Sequence, residues 1–147
     1  MPHEIRTEIV IRAPSDRVWA ALTDFASYPA WNPFVREARG EPVAGARLTV
    51  RLQRTASSTM TFRPRVLVAN PPHELRWLGR LLVPGLFDGE HSFSVEDLPD
   101  GGVRFRQEES FRGLLVPLLW RTLDRETRPL FDRMNQALRA LVEPAAP

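Results

Sequence analysis

The chain has 147 residues, 43% hydrophobic and 26% charged, enough for one domain with a sizeable core. The absence of cysteine excludes thiol nucleophiles, disulfides, thiolate zinc sites and Cys-ligated iron–sulfur clusters, and because all 20 basic residues are arginine, Schiff-base chemistry and a P-loop lysine are excluded too. Net charge is +2, with the arginines scattered among 18 acidic residues, so no nucleic-acid footprint is visible and no nucleic-acid partner is expected.

Residues 5–12 alternate, with Ile5, Thr7, Ile9 and Ile11 on one face and Glu4, Arg6, Glu8 and Arg12 mostly on the other, which predicts a half-buried strand. Ala13-Pro14-Ser15-Asp16 then starts a helix, with Ser15 as the expected N-cap and Val18, Trp19, Leu22 and Phe25 as its apolar face. The prolines of Tyr28-Pro29-Ala30-Trp31-Asn32-Pro33 break it and leave two short helices.

Six strands are predicted next, over 34–39, 46–54, 59–69, 74–82, 87–97 and 103–112. Turn chemistry separates them, as in Asn70-Pro71-Pro72, Pro84-Gly85 and Pro99-Asp100-Gly101-Gly102. Short connections imply hairpins and an antiparallel sheet of about seven strands. Over 114–142 the period changes. Leu119, Leu123, Leu130, Met134, Leu138 and Leu141 recur at three- and four-residue steps, which predicts a long amphipathic helix that Pro129 should kink or split. Residues 1–143 are expected to form a single domain and 144–147 a flexible tail.

The strand parity aims Leu48, Val50, Leu52, Met60, Phe62, Val66, Leu75, Trp77, Phe87, Phe93, Val95, Phe105 and Phe111 inward. Three polar side chains share that parity: His91, Gln107 and Glu109. If the inward faces of both strands are odd-numbered, the hairpin around Asp100-Gly101 sets His91 opposite or diagonal to Glu109, with Gln107 adjacent. Cross-strand Cβ atoms then lie roughly 5 to 8 Å apart. Inside a cavity such a pair can tie the hairpin, anchor a ligand carbonyl or hydroxyl, or act as an acid–base couple. A three-histidine metal site would need His3, His73 and His91 together, so no metal and no cofactor are expected.

Three stretches carry a family resemblance. They are Ile11-x-Ala13-Pro14-x-x-x-Val18-Trp19 with Asp24-Phe25 and Tyr28-Pro29-x-Trp31-Asn32-Pro33; Gly89-x-His91-x-Phe93 with Gly101-Gly102-Val103-x-Phe105; and Glu109-x-Phe111-x-Gly113-Leu114-Leu115. With the element order, they resemble the START-like (SRPBCC) superfamily, in particular its polyketide cyclase/dehydrase-type branch. The resemblance implies an α+β helix-grip fold in which the sheet wraps the C-terminal helix and leaves a lipophilic pocket. Its expected lining is Trp31, Phe34, Phe62, Trp77, Phe87, His91, Phe93, Gln107, Glu109, Phe111, Leu115, Leu119, Leu123 and Met134.

The leading functional expectation is binding or carriage of a small hydrophobic molecule such as a lipid, quinone or polyketide. One alternative is a cyclase/dehydratase-like enzyme with His91 as base and Glu109 orienting it; another is a protein-binding adapter without a ligand. The N-terminus lacks a signal-like apolar segment and the longest apolar stretch, 113–120, is too short to span a bilayer, so cytoplasmic location without stable membrane insertion is expected. A homodimer stays open.

Overall fold

A computed structural model describes residues 3–81 and 83–144. The elements in chain order are β1 (His3–Ile11), α1 (Ser15–Thr23), a 3-10 turn (Phe25–Ser27), α2 (Tyr28–Trp31), β2 (Val35–Arg39), β3 (Thr49–Gln53), β4 (Thr59–Phe62), β5 (Arg65–Asn70), β6 (Glu74–Leu81), β7 (Phe87–Asp97), β8 (Val103–Arg112) and α3 (Val116–Val142). Five strands form one antiparallel sheet in the order β1-β8-β7-β6-β5, and β2-β3-β4 form a second. Together they wrap α3. The helix-grip expectation holds, with eight strands where about seven were expected. Leu82, the last residue of the expected 74–82 strand, and residues 145–147 of the expected tail lie outside the described residues.

The extra strand comes from Pro64. The stretch expected as one strand over 59–69 divides at Arg63-Pro64, because proline has no N–H to give a ladder. β4 therefore ends in the small sheet and β5 begins in the large one. The expected 46–54 strand is shortened for a related reason. Ala46 and Leu48 pair instead with the β5 side, through Leu48 N–H to Pro64 O and Val66 N–H to Ala46 O, both 2.8 Å. An isolated bridge sets Arg47 opposite Arg65 and joins the two sheets.

Two helix expectations change. Ser15 is the first residue of α1 rather than its cap; Pro14 takes the cap position with extended backbone. The Ser15 side chain lies near Asp97, whose carboxyl is held below its ordinary range by His73 and then by Ser15. At the other end, α3 runs unbroken through Pro129. Pro129 and Arg125, whose carbonyl loses its partner, are both exposed, so water can serve that carbonyl. The proline still marks a boundary in burial. Before it only Val116 is buried, whereas after it Leu130, Phe131, Met134, Asn135, Leu138 and Val142 are.

The Tyr28–Asn32 segment anchors the short helices. Tyr28 is fully buried and its hydroxyl donates to the Leu22 carbonyl. Burial, with Asp24 nearby, pushes its phenol far above the usual range. Asn32 Oδ1 accepts from the N–H groups of Phe34 and Val35 at 3.0 and 2.9 Å, which turns the chain into β2.

Gly79 lets the two sheets close. It faces inward on β6, and a Cβ there would lie 2.6 Å from Phe62 Cε2 of β4. Phe62 therefore occupies the space that a side chain at position 79 would need. Replacing Gly79 by Ala should cost about 1–3 kcal/mol by overpacking. Urea denaturation of Gly79→Ala should show that loss, with part of it recovered when Phe62→Leu is added.

Candidate ligand-binding site

The β7–β8 register pairs His91 with Glu109 and Phe93 with Gln107, all odd-numbered and facing α3. A buried polar chain runs from here across the interior. His91 Nδ1 meets Glu109 Oε1 at 2.8 Å and His91 Nε2 meets Gln107 Oε1 at 3.0 Å. Gln107 Nε2 donates to Asn135 Oδ1 at 2.6 Å and to the Phe131 carbonyl at 3.3 Å. Asn135 Nδ2 then donates to Thr7 Oγ1 at 2.9 Å. His91, Gln107 and Asn135 are at most 2% exposed, while the Glu109 side chain keeps 15%.

This chain has a direction. The Phe131 carbonyl can only accept, so the Gln107 amide nitrogen must face it and the Gln107 oxygen must face His91. His91 Nε2 therefore carries a proton. Between Nδ1 and Glu109 Oε1 one further proton sits, giving imidazolium with carboxylate or imidazole with carboxylic acid. In both forms Glu109 Oε2 is an acceptor, and it makes no hydrogen bond among the described residues.

A second glycine makes room for that carboxylate. Gly89 stands opposite Gly79 on β6 and opposite Phe111 on β8, facing inward. A Cβ on Gly89 would lie 3.1 Å from Glu109 Oε2. Two adjacent strands thus lack side chains at one level, and Phe62 and Glu109 lie across the gap.

Around His91 the interior is filled by aromatic rings. Phe93, Phe131, Trp77 and Phe34 have centroids 4.4, 5.0, 5.6 and 6.1 Å from the imidazole. The expected lining residues Phe34, Trp77, Phe93 and Met134 are core residues, each at most 2% exposed. The hollow expected at this level is packed. Towards Glu109 the inner face is looser: Phe62, Phe87, Leu115, Trp120 and Leu123 are only half-buried. Phe111 packs between Phe87 and Trp120 at 5.9 and 6.0 Å. Leu119 is 45% exposed and lies away from this group's interior. Trp31 stacks edge-on against Tyr28 at 5.3 Å, apart from the His91 cluster. Two open recesses, of about 300 and 160 Å³, occupy the opposite, outer face of the sheet.

Sequence reasoning placed His91, Gln107 and Glu109 together and omitted Asn135 and Phe131. Asn135 had a visible signal, as the polar residue in the helical stripe of Phe131, Met134 and Leu138. Among the described residues no group of three or more metal-ligating side chains is gathered, and no helix is long and apolar enough to cross a membrane.

A curved antiparallel sheet gripping a C-terminal helix, with an aromatic and partly polar inner face, defines a START-like ligand-binding fold. Solved structures share it. A START superfamily protein from Mycobacterium smegmatis has a TM-score of 0.76 at 14% identity, with 95% of this chain and 97% of that one covered. The Zhui aromatase/cyclase from Streptomyces sp. R1128 has 0.78 at 13% identity, covering 97% and 94%. A norcoclaurine synthase mutant from Thalictrum, solved with a transition-state analogue, has 0.72 at 12% identity, covering 97% and 94%. No curated protein matches the chain in sequence. The model of the family described as "Polyketide cyclase / dehydrase and lipid transport" matches residues 2–143, and the chain belongs to that family.

Gln107 is the joint of the polar chain. Gln107→Leu strands the His91 N–H, the Asn135 oxygen and the Phe131 carbonyl in an apolar interior. It should cost about 2–4 kcal/mol in urea unfolding, and Glu109→Gln, at the accessible end, should cost less than half as much.

Proposed function

We propose that the protein binds a small, largely apolar molecule bearing a hydroxyl or phenol, held between the sheet and the first half of α3. The observation that carries this reading is the geometry of Glu109. Its Oε1 is held by His91, and its unpaired Oε2 lies over Gly89 at the accessible end of the aromatic interior. That oxygen is an acceptor in either protonation form of the pair, so it selects a ligand donor rather than a ligand carbonyl. Half-buried Phe62, Phe87 and Leu123 would move aside to admit the ligand and then cover it. Burying about 300 Å² of apolar ligand surface gains roughly 7 kcal/mol gross before the costs of association, so micromolar affinity also needs the hydrogen bond to Glu109 and further polar anchors. Membership of a cyclase and lipid-transport family supports this class of ligand.

The 2.8 Å His91–Glu109 contact favours a second reading, proton abstraction from a bound polyketide-like substrate. Both His91 nitrogens are engaged within the protein, so this reading exchanges the roles expected from sequence. Glu109 Oε2 takes the proton as base, and His91 orients the carboxylate and balances its charge. Similarity to an aromatase/cyclase fold supports this reading without choosing it over carriage.

Tryptophan fluorescence with a hydroxylated polycyclic aromatic and its O-methyl ether separates the possibilities. The hydroxylated probe should bind at least about tenfold more tightly than the ether, and Glu109→Ala should erase the difference. Equal affinities in the wild-type protein would contradict the hydroxyl anchor. Turnover of a poly-β-ketone mimic that Glu109→Gln abolishes would move the assignment to catalysis.

A further inference from the structure

The arginines that look scattered in sequence gather on the outer face of the large sheet. Strand pairing brings four of them together. Arg47 stands directly opposite Arg65, Arg63 precedes Arg65 by two residues, and Arg65 is paired with Leu78, two residues from Arg80. Arg47, Arg63, Arg65, Leu78 and Arg80 line one open recess of about 300 Å³. That volume is at the lower end for small-molecule sites, larger than a lone ion needs.

Elsewhere on this face most arginines are matched, as in Arg6–Glu108, Arg76–Glu90, Arg104–Glu96 and Arg106–Glu8. Among the described residues, none of the four recess arginines pairs with a carboxylate. Two acids share the adjoining recess with Arg80, and neither forms an ion pair with it. Asp88, cross-strand from Arg80, accepts from the Gly85 N–H at 3.2 Å, and Glu90 is taken by Arg76 at 3.2 Å. Arg47 is steered over the recess by its 2.9 Å bond to the Arg63 carbonyl. Like charges directly opposite across a bridge oppose folding, and a bound anion would offset that repulsion.

We propose that this recess binds a phosphate-bearing group of at least two negative charges, such as the diphosphate or phosphate monoester of a small molecule. Guanidinium forks match phosphate oxygens in pairs, and Leu78 supplies an apolar floor for the atoms attached to the phosphate. The site lies on the opposite face of the sheet from Glu109 and is independent of the ligand proposed there. The four arginines form one compact cluster rather than a track along which a nucleic-acid backbone would run.

Calorimetric titration with inorganic pyrophosphate at fixed ionic strength tests it. Saturable one-to-one binding is expected, weakened at least about tenfold in Arg47→Ser/Arg65→Ser. Arg133→Ser/Arg139→Ser, which removes the same charge from exposed positions on α3, should leave it unchanged. Equal weakening in both double variants, or no saturation, would overturn the site. Should the first variant fail to fold, the arginine Nε–Hε resonances of the wild-type protein decide. Shifts confined to Arg47, Arg63, Arg65 and Arg80 support the site, and shifts spread over the arginines refute it. Vesicles of phosphatidylcholine with phosphatidic acid identify the source. Co-sedimentation lost in Arg47→Ser/Arg65→Ser points to a lipid headgroup, and pyrophosphate binding without co-sedimentation points to a soluble phosphorylated molecule.

Discussion

The Gln107 amide, fixed by the Phe131 carbonyl, sets the direction of every contact in the polar chain from Glu109 to Thr7. A side-chain amide is reversible in principle, but a backbone carbonyl on a packed helix cannot change from acceptor to donor. From that one constraint follow the Asn135 orientation on one side and the His91 proton on the other. Buried polar groups cost a great deal when unpaired and little when each has a partner, so the network tolerates only a narrow set of arrangements. The aromatic rings around it keep water out and keep those stakes high.

The same constraint reaches the surface through Glu109. Its carboxylate bridges a dry interior, where His91 holds one oxygen, and a half-covered region, where the other is unclaimed. The absence of side chains at Gly79 and Gly89 matters as much as the presence of the carboxylate. One glycine admits Phe62 from the small sheet and the other admits Glu109. The Pro64 strand break belongs to the same construction. It lets the chain leave one sheet and enter the other, so β4 arches Phe62 over β6 while β5 continues the large sheet.

Period-two alternation carries most of this architecture, because a half-buried antiparallel strand must separate its two faces. The inward parity of His91, Gln107 and Glu109 was readable for that reason, and a tight hairpin left little freedom in their register. The helix-grip fold itself came from the motif resemblance rather than from periodicity. The break at Pro64 was harder to see, because Thr59–Phe62 and Arg65–Asn70 both read as strand and only tertiary pairing assigns them to different sheets. Pro129 misled in the opposite direction, since a proline on a solvent-facing helix turn breaks a hydrogen bond that water can replace. Nor does parity distinguish an open hollow from a filled one. Phe131, from the helix, packs against His91 and Phe34, and helix rotation is not encoded in strand alternation.

The direction of the whole polar chain rests on a single proton, on His91 Nε2, and nitrogen NMR of the imidazole side chain reads it directly. A proton bonded to Nε2 in the folded protein is expected, with coupling to Glu109 appearing only at Nδ1. A His91 ring protonated on Nδ1 with a bare Nε2 would reverse the Gln107 amide, leave the Phe131 carbonyl facing another oxygen, and contradict the account.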